Sequence, residues 1–187
     1  MKSYQITEWC HHFLQDHVQP GDLCIDATMG NGHDTLFLSQ LTGPSGSVLA
    51  FDIQQIALDS TRTLLEKHQA TDHVTLILDS HSNLHAYAKP NTVSCIVFNL
   101  GYLPSGNHQI STSKETSIPA ILQGLELLKK GGLMSLCIYS GGDSGFEERD
   151  ALLPFLRSLD SKKYLVILSA YYNRPNNPPI PVFIKKL

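Results

Sequence analysis

The stretch Asp26-Ala27-Thr28-Met29-Gly30-Asn31-Gly32-His33-Asp34 decides how the chain is read. A short apolar run, Leu23–Ala27, leads into it, and a helix-forming stretch from Asp34 to Gln40 leaves it. Strand, glycine-bearing loop and helix in that order mark a ligand site at the carboxyl end of a β-strand. Gly30 and Gly32 give the backbone the freedom to turn and to pass close to a ligand.

Outward from this loop, β-branched apolar runs alternate with longer helical patterns. Tyr4–His17 reads as an opening helix, broken by Pro20-Gly21-Asp22. Strands are expected at Ser47–Phe51, Val74–Leu78, Val93–Phe98, Leu133–Tyr139, Tyr164–Tyr171 and Ile180–Ile184. Helices are expected at Ile53–His68, Ser113–Leu128 and Phe146–Leu159, with Lys129-Lys130-Gly131-Gly132 as a basic last turn and glycine stop. Alternating strands and helices imply βαβ units and a parallel sheet covered on both faces. Only Tyr172–Pro179 separates the last two strands, too short for a helical crossover, so they should pair antiparallel. The expectation is an α/β, Rossmann-like, seven-stranded, mostly parallel doubly wound sheet with an antiparallel last strand, in one domain spanning 1–187. This is the layout of class I methyltransferases.

Three successive strand ends carry an acid: Asp26, Asp52 and Asp79-Ser80-His81. Asp52 follows Gly32 by 20 residues, the usual offset for a carboxylate that accepts hydrogen bonds from ribose hydroxyls. Its two oxygens suit two adjacent hydroxyls, and Gln54 stands beside it. A dinucleotide site needs G-x-G-x-x-G, but Thr35 holds the third glycine position and Asp34 opens the helix. An acid there opposes a pyrophosphate and tolerates a cationic sulfonium. The cofactor expected is therefore S-adenosyl-L-methionine. Its candidate residues are Asp26, Thr28, Gly30, Asn31, Gly32, His33, Asp34, Asp52, Gln54, Asp79, Ser80 and His81. Asp26 would hold a methionine amino group, and Asp79 and Ser80 the adenine edge.

On the substrate side, the fourth strand ends in Asn99-Leu100-Gly101-Tyr102-Leu103-Pro104. Asn99 can orient a substrate nitrogen, Tyr102 can pack on a flat base, and the Leu100 carbonyl offers a second acceptor. These assign Asn99 and Tyr102 to catalysis, and Gly101, Leu103, Pro104, His108, Tyr139, Arg174, Asn176 and Asn177 to substrate binding. Glu147 and Glu148 read as first-turn acids of a helix.

Composition narrows the class. With 42% hydrophobic and 17% charged residues the chain is expected to be globular, and no apolar run reaches the ~20 residues of a bilayer span. The polar N-terminus carries no signal pattern, which points to the cytoplasm. Cys10, Cys24, Cys95 and Cys137 form no C-x-x-C pair and read as buried thiols, and no metal site is expected. A net charge of −3 argues against tight sequence-blind binding to nucleic acid, but leaves room for a structured RNA.

Asp26–Thr35, Phe51-Asp52-Ile53-Gln54, Asn99–Pro104 and Asn176-Asn177-Pro178-Pro179 together resemble the bacterial putative rRNA methylase family, within which stand the tRNA 5-aminomethyl-2-thiouridine methyltransferases. The resemblance covers nearly the whole chain. It implies methylation of the aminomethyl nitrogen on a tRNA wobble uridine, with the anticodon stem-loop as partner; a homodimer is an expectation from the pairing of many domains of this kind. One departure stands out: Gly142 occupies the place of the family's histidine in Tyr-x-Gly-His, with His108 a possible stand-in. The rival readings are a methyltransferase for another RNA or a small molecule, and a non-catalytic adenosylmethionine-binding module.

Overall fold

Strand β1 (Leu23–Asp26) lies between β2 (Ser47–Asp52) and β4 (Val93–Leu100), parallel to both. The structure, a computed structural model, describes residues 5–101, 111–140 and 142–187, with no side-chain description for 142–144. The remaining elements are α1 (Ile6–Gln15), α2 (His33–Thr42), α3 (Gln55–Lys67), β3 (Val74–Leu78), a 3₁₀ turn (His81–Ala86), α4 (Lys114–Leu127), β5 (Leu128–Ile138), α5 (Gly142–Arg157), β6 (Tyr164–Leu168) and β7 (Ile180–Lys186).

The seven strands run in the order β3-β2-β1-β4-β5-β7-β6, with β7 antiparallel to β5 and to β6. This is the Rossmann-like, mostly parallel sheet expected. The chain steps one way from β1 through β2 to β3, then returns to lay β4 on the other side of β1. The reversal opens a crevice at the carboxyl ends of β1 and β4, where such sheets bind ligands.

Period-two alternation decides which layer each strand residue meets. Ile25, Ile96 and Phe98 face one layer, with Ile121 and Leu125 of α4 and Leu152 of α5. Cys24, Cys95 and Val97 face the other, with Cys10 and Leu14 of α1 and Leu38 of α2. Burial on both faces explains why β4 reads as an unbroken apolar run. All four cysteines are buried and free.

Several boundaries differ from those expected. Helix α1 covers Ile6–Gln15 rather than Tyr4–His17, and Tyr4 lies outside the described residues. Helix α4 ends at Leu127, and Lys129-Lys130-Gly131-Gly132 belongs to β5. The Asn91 and Thr92 amides donate to the carbonyls of Glu126 and Leu127, so strand pairing claims the chain where a glycine stop was expected. Gly131 adopts φ +76°, and the β4–β5 register shifts between Val93 and Cys95 to absorb the irregularity. Strand β6 ends at Leu168 and α5 begins at Gly142, four residues earlier than Phe146. Among the described residues no helix is long and apolar enough to cross a membrane.

Candidate functional site

The β1 end is tied to both neighbours. Ala27 N donates to Val97 O at 2.9 Å, and Met29 N donates to Phe51 O at 2.8 Å. The loop then turns through Gly30 and Gly32, whose φ angles are +50° and +83°. A Cβ on Gly32 would lie 2.9 Å from the Thr61 Cα of α3, and the Thr61 hydroxyl donates to Gly30 O at 3.1 Å. Gly32 is thus held by helix packing, and Gly30 is left to face the crevice.

Asp26 is fully buried. Thr35 Oγ1 donates to its Oδ2 at 2.6 Å, and Thr28 N to its Oδ1 at 3.2 Å. Burial, with the neighbouring charge of Asp34, pushes its pKa up to about 7 against the restraint of those two hydrogen bonds.

Asp34, in the first turn of α2, joins three elements. Its Oδ1 faces His11 Nε2 of α1 at 2.5 Å, and its Oδ2 accepts from Asn99 Nδ2 of β4 at 2.6 Å. The Asn99 backbone N–H donates to Thr28 Oγ1 at 2.7 Å, which locks the ends of β1 and β4 together. His11 is held in turn by stacking on Phe37, centroids 3.7 Å apart and planes 1° from parallel.

Asp52 accepts from Gly30 N at 3.1 Å and from Gln54 N at 3.0 Å, one on each oxygen. Burial raises its pKa, opposed by these backbone donors. Asp79 accepts from Tyr87 Oη, Asn83 Nδ2 and Ser80 N, and the Tyr87 hydroxyl leads in holding its carboxyl below the ordinary range. Both Asp79 oxygens therefore serve the 3₁₀ turn, an element the sequence reading lacked. The His81 imidazole, set edge-on to Phe98, has its pKa lowered by burial, and its Nε2 has no hydrogen-bond partner.

A cavity of about 480 Å³ opens at this crevice. From the cofactor set it is lined by Thr28, Gly30, Asn31, His33, Asp34, Asp52, Gln54, Asp79, Ser80 and His81, and from the substrate set by Asn99, Gly101 and Tyr139. Asp26 and Gly32 stand behind that lining. Arg174, Asn176 and Asn177 sit in the β6–β7 connection and are not among the described residues that line the cavity, with both asparagines at positive φ. Tyr102, Leu103, Pro104 and His108 lie outside the described residues, as does any side-chain role at position 142. The Leu100 carbonyl accepts from Tyr139 N at 3.0 Å, so it serves the β4–β5 junction.

Sequence reasoning missed a second wall. Thr7, Ser111, Thr112, Ser113 and Thr116 also line the cavity. Gly101 O accepts from Thr112 N at 2.9 Å, bringing Thr112 to the end of β4. Glu148, expected as a first-turn acid, lies in the second turn because α5 starts early. It is buried, and accepts from Thr112 Oγ1, just before α4, at 2.7 Å and from Ser117 Oγ of α4 at 2.6 Å. The run of hydroxyls from Ser111 to Ser117 was the available signal for its partner. For His11 no local signal exists, since only tertiary packing brings α1 to α2.

Chemically, the cavity presents three carboxylates, Asp34 in the first turn of α2, Asp52 at the end of β2 and Asp79 just after β3, and its described lining contains no lysine or arginine. Such a surface favours a cation or a hydroxyl-rich ligand and disfavours a diphosphate. Among the described residues no group of three or more His, Cys, Asp or Glu side chains is placed to hold a metal ion.

A family model described as Putative rRNA methylase matches residues 48–185. A relative from Arabidopsis thaliana, the chloroplastic tRNA (mnm(5)s(2)U34)-methyltransferase, is 35% identical over 189 residues, spanning 96% of this chain and 69% of its own length. The crystal structure of a putative rRNA-methylase from Clostridium thermocellum superimposes with a TM-score of 0.96 at 43% identity, covering 100% of both chains. That of a putative methyltransferase from Streptococcus mutans in complex with SAH gives 0.89 at 39% identity, covering 99% of each.

Proposed function

The chain belongs to the Putative rRNA methylase family, and we propose that it transfers a methyl group from S-adenosylmethionine to the aminomethyl nitrogen of 5-aminomethyl-(2-thio)uridine at the tRNA wobble position. The observation that carries the cofactor assignment is the cavity itself, lined by the acids Asp34, Asp52 and Asp79 and free of lysine and arginine in its described lining. The substrate assignment rests on the likeness to the Arabidopsis thaliana tRNA methyltransferase over 96% of this chain. The partner in this reading is the anticodon stem-loop of a cytoplasmic tRNA.

The residues present fit the cofactor. Its cationic sulfonium and ammonium groups suit a crevice with the part-buried Asp34 in its wall and Asp26 behind it. Asp52 spends one hydrogen bond per oxygen on the loop, leaving lone pairs for ribose hydroxyls. The ~480 Å³ volume lies in the ordinary range for a small-molecule site. When bound, the cofactor supplies an electrophilic methyl carbon to the substrate amine, which displaces S-adenosylhomocysteine.

The protein's own work is positioning. The Thr28–Asn99 hydrogen bond fixes the distance between the cofactor loop and the strand end that meets the substrate. Asn99 orients the amine and, being an uncharged amide, takes no proton from it. Burial of the amine beside a cation lowers its pKa and exposes the nucleophilic lone pair. Holding the reacting atoms in line supplies much of the acceleration. Tyr139 offers an aromatic surface in the cavity wall, in keeping with RNA loops being read by stacking on splayed bases.

The deciding experiment is methyl transfer from labelled S-adenosylmethionine to tRNA carrying the 5-aminomethyl group, followed by nucleoside analysis. Label in 5-methylaminomethyluridine is the expected result. No label there, from protein that binds S-adenosylmethionine, overturns the wobble assignment and leaves the methyltransferase family without this substrate.

A further inference from the structure

We propose that His11 is a positioning residue for the methyl-accepting amine, acting through Asp34 to keep the side-chain carbonyl of Asn99 turned toward the substrate. The proposal rests on the methyltransferase reading above and concerns a residue outside the loops that carry it.

An ionised carboxylate only accepts hydrogen bonds, so each group facing it must donate. Asp34 faces two. Asn99 reaches Oδ2 at 2.6 Å through Nδ2, and His11 reaches Oδ1 at 2.5 Å through Nε2. Asn99 thereby commits its amide NH₂ to the protein. The end left for the cavity, which Asn99 lines, is the carbonyl oxygen. A neutral amine has N–H groups to donate and needs its lone pair free for the methyl carbon. A carbonyl acceptor meets that need, whereas an NH₂ facing the amine would compete for the lone pair.

Asp34 alone does not secure this orientation, because a carboxylate bonded on one oxygen can still rotate about its Cβ–Cγ bond. His11 takes the other oxygen and fixes the carboxylate plane. His11 is itself fixed, stacked on Phe37 at 3.7 Å and borne on a helix whose Cys10 and Leu14 are buried against the sheet. Order thus passes from the core through α1, His11 and Asp34 to Asn99. This also gives α1 a role at the site, alongside Thr7 in the cavity wall.

The test compares His11→Ala and His11→Gln, the latter keeping an N–H donor at comparable reach. In His11→Ala, kcat on 5-aminomethyl tRNA should fall about tenfold or more, with affinity for S-adenosylhomocysteine changed by less than about threefold. His11→Gln should recover most of the rate. In an Asn99→Ala background, His11→Ala should have no further effect, the non-additivity expected of residues acting as one unit. An independent readout needs no substrate. In ligand-free protein, the ¹⁵N–¹H signals of the Asn99 side-chain amide, identified by their loss in Asn99→Ala, should be displaced in wild type and His11→Gln and ordinary in His11→Ala. Should His11→Ala not fold, His11→Asn, whose amide is too short for Asp34, replaces it. If wild type methylates no aminomethyl tRNA, the proposed substrate falls while the amide signals still decide the relay. An unchanged kcat, an additive double variant, or an Asn99 signal indifferent to His11 overturns the inference.

Discussion

Thr35 donates its hydroxyl proton to Asp26 across 2.6 Å at a point where both residues have no exposed surface. The carboxyl is thus sealed behind the loop that carries Gly30 and Gly32, with one hydroxyl and one backbone N–H for company, and burial raises its pKa to about 7. An acid whose folded pKa exceeds its unfolded value binds its proton more tightly when folded. Its favourable contribution is complete below about pH 4 and is lost as pH rises through 7. The loss is of the order of a few kcal/mol at ~1.4 kcal/mol per pH unit. Asp26→Asn carries no charge to desolvate and escapes this loss. Thermal melts of ligand-free protein should therefore show the variant gaining on wild type between pH 5 and pH 8. A constant gap across that range would mean that Asp26 ionises in the folded protein as it does in solvent.

Gly32 and Gly131 share a left-handed backbone, φ +83° and +76°, and differ in their surroundings. An added Cβ at Gly131 meets nothing within 4 Å, whereas at Gly32 it meets the Thr61 backbone at 2.9 Å. Gly131→Ala should destabilise by the conformational term alone, ~1–2 kcal/mol. Gly32→Ala should lose more, because α3 must retreat and the loop carrying Gly30 with it. Denaturant titrations rank the two. Equal losses would remove the packing argument for Gly32.

How much of this was legible in the sequence follows from the range of the forces involved. The loop from Asp26 to Asp34 and the acids at Asp52 and Asp79 are read locally, since each follows directly on a strand whose period and composition declare it. The antiparallel β7 was legible from chain length, because Tyr172–Pro179 cannot cross the sheet. Lys129–Gly132 was misread because a basic turn followed by glycines is a good helix end in isolation, and only pairing of Val93 with Leu128 outbids it. Asp79 lines the cavity as a strand-end acid would, but its bonds to Tyr87 and Asn83 of the neighbouring turn had no signal in the sequence. His11 and Glu148 were invisible for one reason: their partners lie 23 and 31 or more residues away along the chain, and only the packed sheet brings them together.

Glu148 is a buried carboxylate whose two oxygens accept from Thr112 and Ser117. Removing it leaves two hydroxyls without their partner, at ~1–3 kcal/mol for a buried group so abandoned. Glu148→Ala should therefore lower the melting temperature by several degrees. It should also raise KM for tRNA, because Thr112 lines the cavity and loses its anchor. Glu148→Gln should do far less, since a hydroxyl both donates and accepts and can turn to meet the amide. Matching losses in the two variants would show that the charge, rather than the hydrogen bonding, is what this position supplies.

Thr28 holds the backbone of Asn99 through its hydroxyl, which accepts the Asn99 N–H at 2.7 Å. Valine has the shape of threonine and no acceptor, so Thr28→Val leaves that N–H half-buried and unpaired while filling the same space. The neighbouring Asn99 side chain stays attached to Asp34, but its backbone is released by one hydrogen bond, and with it the registry between the two strand ends that enclose the cavity. The expected result is a modest fall in stability, ~1–2 kcal/mol, with a kcat reduced about tenfold. Thr28→Ser keeps the acceptor and should match wild type in rate, which separates the hydrogen bond from the methyl contact. Affinity for S-adenosylhomocysteine measured by calorimetry completes the argument. A binding loss as large as the rate loss would place Thr28 chiefly in cofactor binding, whereas a loss confined to kcat would identify it as the hinge pin between cofactor loop and substrate strand.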